Sequence, residues 1–475
     1  MEPLLQGAII AAIALAAFLL GMPIAFALGF TSIVSIWLFL GPSQVDLFGK
    51  FVFDSTNDFG LLAIPLFVLM GNVFGGSTVS KHLFEAGEAW LSRVRGGLAM
   101  SSIVASAVFA AISGSSSATA AAIGGVAVPE MEKRGYSQRV AAGAVAAGGT
   151  LGILIPPSVT LILYGIASEE SIGQLFAAGV IPGIIITVMF CVWIYIATGI
   201  DQRRATRIVE REFAVAAASE AAAGRTMTRE AEPSGTATSV LTRQSGDIVA
   251  PTYSWPTKWT ALVKVLPFVF LIVAVLGTLY AGVATPSEAA AVGVVLVLLL
   301  VGVAYRGLKG KQFLKILLDT TNQSTMILMI TAFSGVIALV LSFLRVPQEL
   351  ASIVTELDVN KWVVMIVINL VLLVMGLFLP PVSIVVMVTP ILYPLIMGLG
   401  FDPIWFGIIM TINMEVGLIT PPVGLNLYVL KGILPHIALK DIIMGSLPYV
   451  GVLGLAIALF SFFPSLITWL PDLLY

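Results

Sequence analysis

Apolar runs about as long as a bilayer is thick follow one another along nearly all of the 475 residues, parted by short polar interruptions. A hydrocarbon core takes roughly 17 to 25 helical residues to cross. Runs of that kind occupy 4–21, 23–40, 61–78, 140–165, 173–199, 265–283, 287–305, 321–343, 403–430 and 442–463, and each is read as a spanning helix. Two further apolar stretches, near 98–129 and 362–395, are longer than one crossing and shorter than two, with polar or helix-breaking residues at their middle. Each is predicted to be a hairpin that enters the membrane and returns to the same side. An amphipathic stretch precedes each hairpin. Leu83, Phe84, Trp90, Leu91 and Val94 share one helical face, and Val346, Leu350, Ile353, Val354 and Leu357 share another. Such faces suit helices lying along the interface.

Composition agrees with the pattern: 58% of residues are hydrophobic and 11% are charged, far from a water-soluble surface. The chain reads as an all-α polytopic membrane protein, and nothing in it supports nucleic-acid binding. Cys191 is the single cysteine, so no disulfide forms within the chain. Charge placement favours one topology. With both hairpins re-entrant and the N-terminus outside, all but three of the 24 Lys and Arg residues fall on the inside, the exceptions being Lys50, Arg345 and Lys361. Reading either hairpin as a full crossing would invert everything after it. The expected organisation is an N-terminal half over 1–200, a largely disordered inside linker over 201–264 rich in Ala, Ser, Thr and charge, and a C-terminal half over 265–475.

The two halves repeat. At an offset of 265 positions Pro129 matches Pro394, Gly135 matches Gly400, Gly152 matches Gly417, and the pair Pro156 and Pro157 matches Pro421 and Pro422 without a gap. The serines of the first hairpin, Ser113 to Ser117, fall on "FLPPV" in the second. Since one hairpin opens inward and the other outward, the expectation is an inverted repeat, a common transporter architecture.

Buried hydroxyls cost about 1 to 3 kcal/mol each when unpartnered. Serines at a hairpin tip are therefore expected to cap the second arm, whose free N–H groups and positive dipole end attract oxygens and anions. Irregular backbone at membrane depth needs a polar cavity or protein beside it. The proline pairs remove helical donors and are expected to free the carbonyls of Gly152, Ile153, Gly417 and Leu418. With nearby hydroxyls these carbonyls make an all-oxygen shell suited to a small hard cation such as Na⁺, while the lack of nearby His or Cys argues against a transition metal. Glu415 is the one acid well inside a span. Three roles are open to it: cation ligand, proton relay, or a protonated hydrogen-bonding group. Asn413 and Asn426 flank it, either facing cargo or joining helices. An intramembrane serine hydrolase is disfavoured because no span carries a Lys or His base. No phosphate-binding loop marks an ATP-driven machine.

Six segments, "GMPIAFALG", "IPLFVLMGN", "ISGSSSATAAA", "GILIPPSV", "TPSEAAAVG" and "GLITPPVGLN", occur in order along almost the whole chain. In these the sequence resembles the DctM-like large permease subunit of tripartite ATP-independent periplasmic (TRAP) transporters. The resemblance implies an inverted-repeat, elevator-type transporter in a bacterial inner membrane, importing organic acids such as dicarboxylates with Na⁺. It also implies a small four-helix membrane subunit and a periplasmic substrate-binding protein as partners, with no enzymatic activity. Carried over by position, Ser113, Ser115, Gly152 and Pro156 would form one Na⁺ site, and Gly376, Gly417, Thr420 and Pro421 would help form its repeat partner, with Thr150 and Glu415 as further candidate Na⁺ ligands. Cargo would sit between the tips, against Ser116, Ser117, Thr119, Asn413 and Asn426. A proton-coupled carrier or antiporter of the same architecture is the alternative. Many members of that family carry an acid at the second tip, where this chain has Pro380.

Overall fold

A computed structural model describes residues 2–77, 79–222, 253–305, 310–356 and 359–475; its elements are helical, with no strand among the described residues. The N-terminal half begins with α1 (Pro3–Leu19) and α2 (Ile24–Ser35), which runs on as a π-turn over Ile36–Leu40. Next come α3 (Phe48–Thr56) and α4 (Ala63–Gly75), each preceded by a 3-10 turn, and the two segments bend by 65°. The amphipathic α5 (Val79–Leu91) leads into α6 (Gly97–Ser113) and α7 (Ser116–Lys133). A broken pair follows, α8 (Gln138–Thr150) and α9 (Val159–Ser168), and then the long α10 (Ile172–Ala222). The C-terminal half comprises α11 (Trp255–Tyr280), α12 (Pro286–Leu299), α13 (Gly310–Phe343), the amphipathic α14 (Val346–Glu356), α15 (Lys361–Gly376) and α16 (Pro381–Gly398). It closes with a second broken pair, α17 (Pro403–Leu418) and α18 (Leu425–Ile433), then α19 (Leu439–Phe462) and α20 (Ser465–Leu474).

One order therefore occurs twice: amphipathic helix, hairpin, broken helix. Residues 98–129 and 362–395 are each two helices joined at a short tip. Among the described residues six helices are long and apolar enough to cross a membrane, or seven with the bent pair counted as one. The expected span at 61–78 is one arm of that bent pair; α3 escapes a hydropathy reading because it is short and Lys50 and Asp54, one turn apart, give it a polar face. The expected linker 201–264 is helical at both described ends, where α10 continues to Ala222 and α11 starts at Trp255. Its middle, 223–252, lies outside the described residues.

Small side chains set the packing. In α8, "AAGAVAAGGT" is buried throughout, and α6, α7 and α19 close against it. A Cβ on Gly143 would lie 2.2 Å from the Gly445 carbonyl oxygen, and one on Gly149 would lie 2.7 Å from the Ala120 Cβ. Such contacts are how helices associate where no water drives them together. A second group forms around α13, which packs on α2, α3 and α4 and touches the hairpin arm α16. Large apolar side chains such as Leu19, Leu20, Phe270 and Phe462 point outward, as a lipid-facing surface requires.

Candidate functional site

At the first tip the chain turns through Gly114 at φ +57°, where a Cβ would lie 2.8 Å from the carbonyl oxygen of Pro157. Only glycine fits both the turn and that approach. The serines beyond it satisfy one another and the next helix. Ser115 caps α7 by accepting the Ala118 N–H at 3.4 Å, and Thr119 Oγ1 donates to the Ser115 carbonyl at 2.8 Å. Ser113 Oγ lies 2.9 Å from Thr119 Oγ1, and Ser116 Oγ donates to the Thr150 carbonyl at 3.0 Å. The tip thus rests on the first broken helix. A Cβ on Gly152 would fall 2.6 Å from the Ser115 carbonyl.

The second tip makes the matching contact. A Cβ on Gly417 would lie 2.5 Å from the Gly376 carbonyl oxygen, and the Val423 N–H donates to the Leu377 carbonyl at 3.2 Å. Both Pro156–Pro157 and Pro421–Pro422 are cis bonds, so the breaks agree in backbone form as well as in sequence. The expectation that prolines free four carbonyls needs correcting at two of them, Ile153 and Gly417. Ser158 Oγ donates to the Ile153 carbonyl, and the Thr420 N–H reaches that of Gly417 at 3.4 Å. Buried polar groups find partners where neighbours allow, and here the residues beside the prolines supply them. Thr420 Oγ1 is itself turned back onto the Val416 carbonyl at 2.6 Å.

Between the tips lies a cavity of about 570 Å³. Its polar lining comes from Ser113, Ser115, Ser116 and Ser117 at the first tip, Thr160 beyond the first break, and Asn72, Asn322, Gln323 and Thr325 from α4 and α13. No Asp, Glu, Lys, Arg or His lines it. Its electrostatics come from backbone instead. The first residues of five helices reach it: Ile24 of α2, Ser116 of α7, Val159 of α9, Pro381 of α16 and Leu425 of α18. Each helix start carries roughly half a positive charge and unpaired N–H groups. An uncharged lining with several such ends favours an anion.

Three of the expected cargo residues, Thr119, Asn413 and Asn426, are not part of this lining. Asn413 Nδ2 donates to Asn369 O at 2.9 Å and Oδ1 at 3.0 Å, and Asn426 Nδ2 donates to Ala146 O at 3.3 Å, while the Oδ1 atoms of both are buried without a partner; the buried Thr119 hydroxyl bonds within the first tip, to Ser113 and the Ser115 carbonyl. Thr150, Gly152, Pro156, Gly376, Glu415, Gly417, Thr420 and Pro421 sit behind the cavity wall, at the breaks or beside them. Glu415 is fully buried, with Thr150 Oγ1 3.3 Å from Oε2 and no partner for Oε1. The amides on α4 and α13 were missed. Their signal was present in "MGN" and in "TTNQST", polar residues toward the end of one apolar run and at the start of another.

Residues 11–466 match the family model described as the tripartite ATP-independent periplasmic transporter, DctM component. The chain is 36% identical to the C4-dicarboxylate TRAP transporter large permease protein DctM of Pseudomonas aeruginosa, over 94% of this chain and 93% of that one. It is 33% identical to the protein of the same description from Vibrio cholerae, over 96% and 95%. Among solved structures, the Alcanivorax borkumensis YdaH transporter superposes with a TM-score of 0.54 at 15% identity, covering 90% of this chain and 89% of that one, a likeness of fold.

Proposed function

The chain belongs to the DctM component family of tripartite ATP-independent periplasmic transporters, and on that footing we propose that it imports organic acids, C4-dicarboxylates among them, using a Na⁺ gradient. The observation that supports an anionic cargo is the cavity between the tips: uncharged in its side chains, yet lined by the starts of five helices. Carboxylates would be held by the N–H groups of Ser116 and Ser117 and by hydroxyls, with the amides of Asn72, Asn322 and Gln323 forming the opposite wall. Na⁺ would bind behind the cargo, one ion at Ser113, Ser115 and Gly152, another near Gly376, Leu418 and Thr420. Such ions would neutralise part of the cargo's charge.

In this reading the two halves are an inverted repeat. The hairpins and broken helices ride as one body against α2, α4 and α11–α13, carrying cargo across as an elevator does. The N-terminus faces the periplasm and 201–264 the cytoplasm. A small four-helix membrane subunit would brace the lipid-facing surface, and a periplasmic binding protein would deliver cargo. Glu415 favours a second reading, proton coupling, because a buried carboxyl beside a break is a natural proton carrier.

Proteoliposomes holding the complete transporter separate the two readings. Accumulation of labelled C4-dicarboxylate under a Na⁺ gradient at fixed pH supports Na⁺ coupling. Accumulation under a pH gradient without Na⁺ overturns it in favour of the proton.

A further inference from the structure

Thr150 ends α8 where the helix breaks, and its atoms face two ways. Its carbonyl accepts the hydroxyl of Ser116, the first residue of α7, at 3.0 Å. Its own hydroxyl proton is shared between the Ala147 carbonyl at 2.8 Å and Glu415 Oε2 at 3.3 Å. Glu415 is fully buried, and among the described residues Thr150 is the one polar partner of its carboxyl, since Oε1 has none. Two residues further along α17, Gly417 packs its backbone against Gly376 at the second tip. A hydrogen-bonded chain therefore runs from the first tip through the first break to the helix that carries the second break. Neighbouring contacts stiffen it: Asn426, beyond the second break, donates to Ala146, one turn before Thr150.

We propose that this Ser116–Thr150–Glu415 chain makes cation binding at the two tips cooperative, with Thr150 and Glu415 acting as positioning residues. The inference rests on the Na⁺ reading above. A cation bound at the first tip holds Ser115 and Ser116 against Gly152, which fixes the Thr150 carbonyl and the rotamer of its hydroxyl. That rotamer fixes the Glu415 carboxyl group, and with it the last turn of α17 that presents Gly417 to Gly376. In a dry interior such bonds are strong and directional, so a shift at one end is felt at the other. Linkage makes the effect reciprocal: an ion at the second tip tightens the first site by the same factor.

The test is the Na⁺ dependence of cargo uptake by the complete transporter in proteoliposomes. The unmodified protein is expected to respond steeply, with a Hill coefficient approaching about two, the number of linked sites. Thr150→Val keeps the shape of the side chain and removes its hydroxyl; its Hill coefficient should fall to about one, and Thr150→Ser should restore it. Glu415→Leu cuts the same bond from the other side, and the double variant should lose no more cooperativity than either single one. Ser116→Ala opens the chain at the tip and carries the test should the buried substitutions impair folding. A wild-type Hill coefficient in Thr150→Val or in Ser116→Ala overturns the proposal while leaving Na⁺ coupling intact. Uptake indifferent to Na⁺ in the unmodified protein overturns both.

Discussion

Two glycines carry more of this site than any hydroxyl. Gly152 and Gly417 let each broken helix touch a hairpin tip backbone to backbone, and a Cβ at either would meet main-chain atoms at 2.6 and 2.5 Å. Main chain cannot rotate aside, so Gly152→Val is expected to push the tip off the break. Overpacking of this kind costs about 1 to 3 kcal/mol, visible as a lower melting temperature, together with loss of Na⁺-stimulated uptake. Ser115→Ala is gentler. It removes the α7 cap, costs about 1 kcal/mol, and should raise the Na⁺ concentration needed for half-maximal transport; an unchanged Na⁺ requirement removes Ser115 from the ion site. At this scale the sequence revealed which residues are polar and buried, but not where they point. Asn413 and Asn426 read equally well as cargo contacts or as helix joints, and only the fold shows that their amide nitrogens reach α15 and α8.

Helices were legible where chemistry interrupts them. The two proline pairs announce the breaks between α8 and α9 and between α17 and α18, and the serines announce a capped tip, because each signal is local to a few residues. The start of α13 and the whole of α3 were hidden by polar residues that face neighbouring helices or the interface. The C-terminal end of α7 gives a pH prediction. Arg134 there meets Glu88 at 2.6 Å and Glu130 at 3.0 Å. Burial raises the Glu130 carboxyl, but the hydrogen bond and charge of Arg134, helped by Lys133, outweigh it and hold the group below its ordinary value. A lowered carboxylate stabilises the fold above its unfolded pKa of about 4.3 and loses that stability as pH falls through the folded value. Thermal stability should therefore drop below about pH 4, and Glu130→Gln should flatten that acid limb; an unchanged limb assigns it to other acids.

The whole molecule shows what an ordered list of spans cannot. The repeat was legible because it keeps register for some thirty residues at a fixed offset, from Pro129 and Pro394 to the proline pairs. The cavity was not, since its walls come from Ile24, Asn72, Ser116, Val159, Asn322, Pro381 and Leu425, far apart in the chain. Only folding brings five helix starts to one place free of charged side chains. That convergence is the basis for an anionic cargo bound between the tips, and it has a direct test. Ser117→Cys and Val382→Cys, each made in a Cys191→Ser background, place one thiol at either tip facing the cavity. C4-dicarboxylate with Na⁺ should slow the reaction of both thiols with a membrane-impermeant reagent, whereas equal rates with and without cargo at both positions contradict a binding site there.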